Sequence, residues 1–332
     1  MTETVTDNTS RHFRRKAFCR RGDLLLCWIC AFFLLLFLKN AELAARYLSD
    51  GLTLCVKSLI PSVFPFMIIS ELMVSGGAIG FVGSLFARPC GRLFGIGKDS
   101  AGALLLGFLC GFPLGTKCAV SLYRQGRISA DELRRVLSFC NVPSPAFLIN
   151  VVGASLLHDH DFGVVLYGIT LFSALLIGIG GRLFRKAKSA SPLAPSSTVH
   201  ASSRSPLALF TEAVGTSATA MLRICAFVVF FSALVGILEQ CFLALSPALS
   251  AFTFGIFELT GGVSRAALCA PKTARLLCAA LAGWSGFSVH FQIMGLCDDT
   301  PFSFGSYIVA KLIHGILNLL LVLGYFFLFC EI

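Results

Sequence analysis

Gly111-Phe112-Pro113-Leu114-Gly115-Thr116-Lys117 lies between two apolar runs, residues 101–110 and 118–123. A proline flanked by glycines interrupts a helix and frees backbone N–H and C=O groups, which is tolerated at membrane depth only where the break is buried in protein or lines a cavity. Free N–H groups at a helix start, beside a lysine, are the chemistry of anion reception. Gly111, Pro113, Gly115, Thr116 and Lys117 are therefore candidate substrate-binding residues. A second break, Gly283-Trp284-Ser285-Gly286-Phe287-Ser288-Val289-His290-Phe291-Gln292, supplies hydroxyls, an imidazole and an amide in apolar surroundings. Ser285, Gly286, Ser288, His290 and Gln292 are expected opposite the first group. Asn141 and Ser144 join the candidates at a third break, made by Pro143 and Pro145. Glu258 and Thr260, in the polar interruption Glu258-Leu259-Thr260-Gly261-Gly262, are candidates for a coupling proton or sodium ion.

Each group has a plainer role open to it. Lys117 can snorkel to the membrane surface, and the hydroxyls and amides can bond neighbouring helices. Asn141 and Ser144 can cap a kink, and Glu258 can pair with Arg223 or face water.

No catalytic set assembles from these residues. P-loop, HExxH, GxSxG and nucleotide fingerprints are absent, so neither enzymatic activity nor a cofactor is expected. Cys27-Trp28-Ile29-Cys30 has CxxC spacing, but it stands in an apolar run with no second pair nearby. Cys55, Cys110, Cys118, Cys225, Cys278 and Cys330 also lie in apolar runs and read as small hydrophobes. His158-Asp159-His160-Asp161 has metal-ligand types without a further ligand cluster and reads as a solvated turn, so no metal is expected.

The elements that must position these groups are membrane helices. The chain is 56% hydrophobic and 13% charged, about half the charge of a soluble domain, and its apolar residues run along its whole length. A net charge of +10 suggests nucleic acid, but the basic residues fall in short clusters between apolar segments, as in a multi-pass protein of the cell's inner membrane. Residues 1–23 read as a basic cytoplasmic tail and 24–40 as a first transmembrane helix, the pattern of a signal sequence being the alternative. Residues 41–60 are amphipathic enough to lie in the interface. Ser129 with Glu132 forms a capping box that starts a helix through Cys140. Residues 182–206 form a basic, Ser- and Pro-rich cytoplasmic linker that divides the chain. On this topology the clusters at 11–21, 88–98, 124–135 and 182–204 lie inside, while Arg265, Lys272 and Arg275 fall outside, against the rule.

The halves, 41–181 and 207–332, show weak self-similarity. Setting Ala101 on Thr273 places Gly111-Phe112-Pro113 on Gly283-Trp284-Ser285 and Thr116 on Ser288. The first half begins outside and the second inside, so the repeats would be inverted, a transporter design in which discontinuous helices meet substrate near the midplane.

The run Gly107-Phe108-Leu109-Cys110-Gly111-Phe112-Pro113-Leu114-Gly115-Thr116-Lys117, with Leu122-Tyr123, Phe139-Cys140-Asn141, Ser144-Pro145, Phe257-Glu258-Leu259-Thr260-Gly261-Gly262 and Gly286-Phe287-Ser288-Val289-His290-Phe291-Gln292, resembles the sporulation integral membrane protein YlbJ family. That resemblance covers most of residues 51–320. It implies a place among nucleoside-recognition or Gate domain proteins, distantly similar to concentrative nucleoside transporters, with two re-entrant hairpins and two broken helices around the substrate. It also implies a link to endospore formation and a dipicolinate-like or nucleoside-like solute. The long basic N-terminus and the richness in Cys and Phe depart from the family.

The expected protein is thus all-α and polytopic, two inverted repeats each with a re-entrant hairpin or broken helix. It would carry a small polar, anionic solute by alternating access, with the bilayer, the solute and a coupling ion as partners. A homo-oligomer is compatible with the sequence, and nucleic acid is not a partner. The competing expectation is a non-transporting scaffold or assembly factor in spore or envelope formation.

Overall fold

The computed structural model describes residues 21–76, 78–184, 205–242 and 245–329, and among these every regular element is a helix. Helix α1 (Arg21–Lys39) meets α2 (Ala41–Leu54) at a bend of 95°, and α2 passes through a π-helical stretch, Cys55–Leu59, into α3 (Ile60–Ser75). Helix α4 (Ala78–Phe94) bends by 95° into α5 (Lys98–Cys110), followed by α6 (Leu114–Arg124) and α7 (Ala130–Phe139). A π-helix, Ala146–Leu156, and α8 (His160–Phe184) complete the first half. The second half comprises α9 (Pro206–Phe242), α10 (Pro247–Phe257), α11 (Leu259–Ala266), α12 (Pro271–Trp284), α13 (Phe287–Leu296) and α14 (Phe304–Phe329). Among the described residues four helices are long and apolar enough to cross a membrane, or six if each bent pair is one span. The molecule is all-α and polytopic, as its composition requires.

Local chemistry explains the boundaries. Pro113, Pro143 and Pro145 stand at breaks, while Pro247 and Pro271 open helices, where the missing N–H costs nothing. Ser129 Oγ accepts the N–H of Glu132 at 3.2 Å, but the Glu132 carboxylate turns away to accept the N–H of Gly97 at 2.5 Å, so only half of the capping box closes. The amphipathic and apolar pieces of residues 207–238 form one continuous 37-residue helix, because no proline lies between them to stop propagation.

The elements recur in order: a tight helix pair, a broken helix, then a long helix. The pairs are α5/α6 and α10/α11, each closed by glycines that bring backbone against backbone. A Cβ on Gly115 would meet the Gly107 Cα at 2.7 Å, and one on Gly262 would meet the Gly255 Cα at 2.2 Å. This order differs from the register read from the sequence, which set Gly111 on Gly283. The turn at Gly111–Pro113 answers the turn at Glu258, and the break at 140–145 answers the break at Ser285 and Gly286. Residues 283–292 are not a second hairpin, since α12 and α13 continue as one broken span from Pro271 to Leu296; the second hairpin is α10/α11, at the polar interruption.

Ion pairs mark the two ends of the bundle. At one end Arg124, closing α6, meets Asp299 beyond α13 at 2.7 Å, and Arg127 meets Asp99 at 2.7 Å. At the other, Arg265 of α11 meets Glu239 near the end of α9 at 3.3 Å, and Arg275 of α12 meets Asp159 at 2.6 Å. The two hairpins therefore enter from opposite ends. Two of the basic residues that broke the charge rule, Arg265 and Arg275, are neutralised by these acids, and Asp159 of the supposed solvated turn is a structural partner. The tail through residue 20 and linker positions 185–204 lie outside the described residues.

Candidate functional site

Each hairpin tip rests on the helix break of its own half. Gly111, at φ +76°, lets the first tip lie against Ser144: a Cβ there would meet the Ser144 N at 2.6 Å. The Phe112 N–H donates to the Val142 carbonyl at 3.0 Å, and Thr116 Oγ1 donates to Asn141 Oδ1 at 2.6 Å. Asn141 Nδ2 returns to the Leu137 carbonyl at 3.1 Å, so this asparagine ties the hairpin to the end of α7. In the second half Gly286, at φ +84°, packs against the backbone of Phe257, Glu258 and Leu259.

Glu258 is buried, and its carboxylate accepts the N–H groups of Thr260 at 2.8 Å and Gly261 at 2.5 Å. It caps the start of α11 and neutralises the positive end of that helix. Pairing with Arg223, one of the alternatives, does not occur: Arg223 is exposed on α9.

A central cavity of about 50 Å³ lies where the tips and breaks converge, with Phe112, Ser144, Glu258, Thr260, Ser288 and Gln292 in its wall. Gln292 also lines a wider vestibule of about 610 Å³ between α6, α9 and α13, with Lys117, Arg223, Thr216, Thr219, Phe227 and Phe291 in its wall. The starts of α6 and α13, at Pro113 and Gly286, have no side-chain cap, so their first N–H groups are not taken by a side chain.

The residues expected from sequence thus divide. Ser144, Glu258, Thr260, Ser288 and Gln292 line the cavity, and Pro113, Lys117 and Gln292 line the vestibule. Gly111, Gly115, Thr116, Asn141, Ser285 and Gly286 form the packing behind, with the Ser285 hydroxyl donating to the Ala282 carbonyl at 3.3 Å. His290 is also behind the wall: its Nδ1 lies 3.2 Å from the Tyr307 hydroxyl and its ring sits edge-on to Trp284 at 4.5 Å, while the buried Nε2 meets no partner.

Lys117 is not a lone charge, because its Nζ lies 2.8 Å from Glu71 of α3. Sequence reading passed over Glu71, although an acid inside an apolar helix was the available signal. It also passed over a buried polar ladder on α14, Lys311, His314 and Asn318, which faces Thr170 and Ser173 of α8. Their spacing of three and four puts them on one helix face, a stripe visible in the sequence.

No family model matches the chain, and no solved structure matches it. It is 27% identical to the sporulation integral membrane protein YlbJ of Bacillus subtilis (strain 168), over an alignment of 330 residues that covers 87% of this chain and 79% of the relative. With several helices of membrane length, the chain is an integral membrane protein. That alignment is long enough to take in both hairpins and both breaks, and it supports membership of the YlbJ family.

Proposed function

We propose that this protein carries a small polar, anionic solute across the membrane by alternating access, in the service of spore formation. The observation that carries the reading is the convergence of two hairpin tips, entering from opposite ends, on one cavity with a basic vestibule beside it. Lys117 and Arg223 attract an anion into the vestibule, and the start of α6, at Pro113 and Leu114 in the same wall, has no side-chain cap to compete with it. Glu258 already fills the start of α11, so the anion is received at the start of α6. Phe227 and Phe291 give the vestibule an apolar wall suited to a flat solute, dipicolinate-like or nucleoside-like. A coupling proton or sodium ion belongs to this reading, in the region of Glu258 and Thr260.

The test is uptake by proteoliposomes of labelled dipicolinate, nucleosides and simple carboxylates, for wild type, Lys117→Ala and Glu258→Gln. Flux of an anion that both variants reduce is expected. No flux of any solute, with both variants complementing a deletion in sporulating cells, would leave the scaffold reading in its place.

A further inference from the structure

The carbonyl end of a helix carries partial negative charge and unpaired acceptors. Helix α7 stops at Phe139, and beyond it the Asn141 carbonyl points at Lys311 of α14, whose Nζ lies 2.8 Å away. The second neighbour of Nζ is His314 Nδ1 at 3.3 Å. His314 Nε2 lies 3.0 Å from the Thr170 carbonyl, which can only accept. Nε2 therefore holds the ring proton, and Nδ1 turns its lone pair to Lys311. Of the two atoms touching Nζ, the Asn141 carbonyl is of the kind that holds a cation at an unwound helix, and the imidazole nitrogen adds a second lone pair.

The rest of the ladder keeps these donors aimed. Asn318 Nδ2 donates to Thr170 Oγ1 at 3.1 Å and to the Ala279 carbonyl at 3.2 Å, and Ser173 Oγ donates to Asn318 Oδ1. Lys311, His314 and Asn318 are all buried, and among the described residues no carboxylate pairs with Lys311.

We propose that Lys311 is a tethered cation: its amino group occupies the place at the first helix break that a sodium ion would otherwise take. Through Asn141, which also receives Thr116, it positions the tip of the α5/α6 hairpin. The proposal deepens the transport reading, in which the region of Glu258 and Thr260 alone is left to recruit a free ion. Its test needs no transported solute.

Full-length protein in detergent is melted at fixed ionic strength in choline, sodium or methylammonium chloride. Lys311→Ala, which removes the amino group and leaves room for a small cation, is expected to melt several degrees lower in choline, roughly the scale of losing one buried interaction. It is expected to recover at least half of that loss in sodium or methylammonium, beyond any response of wild type. Lys311→Met, which fills the space with an apolar chain, should show no such recovery. A folded Lys311→Ala that responds to both small cations no more than wild type overturns the proposal.

Should Lys311→Ala not fold, amide hydrogen exchange in Lys311→Met decides. Exchange at residues 112–116 and 141–144 is expected to rise about tenfold over wild type, and unchanged exchange overturns the proposal. Failure of solute uptake would overturn the transport reading and leave these results as they stand.

Discussion

Lys117 Nζ lies 2.8 Å from the carboxylate of Glu71, a residue 46 positions earlier on α3. The two ends of this pair are unequal: the glutamate side chain is 11% exposed and the lysine 36%. Removing the lysine strands a nearly buried carboxylate, while removing the acid leaves an amino group that can reach water. Lys117→Ala should therefore cost about 1 kcal/mol more stability than Glu71→Gln, measured by thermal unfolding in detergent. Uptake should move the opposite way, with Glu71→Gln lowering the half-saturation concentration for an anion and Lys117→Ala raising it.

Asn141 and Thr116 should act as a unit. Asn141→Ala removes a buried partner from Thr116 and from the Leu137 carbonyl, and is expected to cost about 1–3 kcal/mol. Thr116→Val in that background should cost less than it does alone, the coupling being about 1 kcal/mol in a double-mutant cycle. Additive effects would show that the hairpin tip does not depend on this bond.

Two glycines separate backbone strain from steric exclusion. Gly111 and Gly126 both have φ near +70°, yet a Cβ at Gly126 meets nothing within 4 Å, whereas at Gly111 it meets Ser144 at 2.6 Å. Gly126→Ala is expected to cost about 1 kcal/mol, the strain alone. Gly111→Ala should cost about twice that or more, because the tip must lift from the break. Equal melting temperatures for the two variants would contradict the docked tip.

Acid should weaken the far end of the bundle through Asp159. The N–H of Phe162 donates to its carboxylate, and Arg275 pairs with it, so its pKa is held below the usual aspartate value. The folded form then binds the proton less readily than the unfolded one. This contribution to stability is complete above about pH 4, the unfolded aspartate value, and is lost as pH falls through the lower folded value. Asp159→Asn should lower stability at pH 7 by about 1 kcal/mol, both side chains being near a third exposed, and should flatten the acid limb of the stability curve.

Breaks announced by proline or paired glycines were legible in the sequence: the turn at Gly111–Pro113, the Pro143/Pro145 break and the interruption at Ser285 and Gly286 all appear in the structure. Whether a break reverses the chain or only kinks it was not legible. Reversal at Glu258 depends on Gly255 and Gly262 meeting backbone to backbone, and kinking at Gly286 depends on α13 running on to Leu296; both are packing outcomes that a local pattern does not carry. The partner of Lys117 was hidden for the same reason, since Glu71 reaches it only through the fold. Lys311 reads from sequence only as a basic residue at membrane depth or its edge; its role emerges once His314 and Asn318 are placed on the same face.

The bond between Lys311 and Asn141 joins residues 170 positions apart. Each hairpin, by contrast, meets its break within roughly thirty residues of chain, short enough to dock while synthesis is still under way. The Asn141 carbonyl, just past the end of α7, must then wait for its cation until α14 has entered the membrane. Order of assembly follows from this: the first half can take its shape early, but it becomes electrically complete only when the second half has been made.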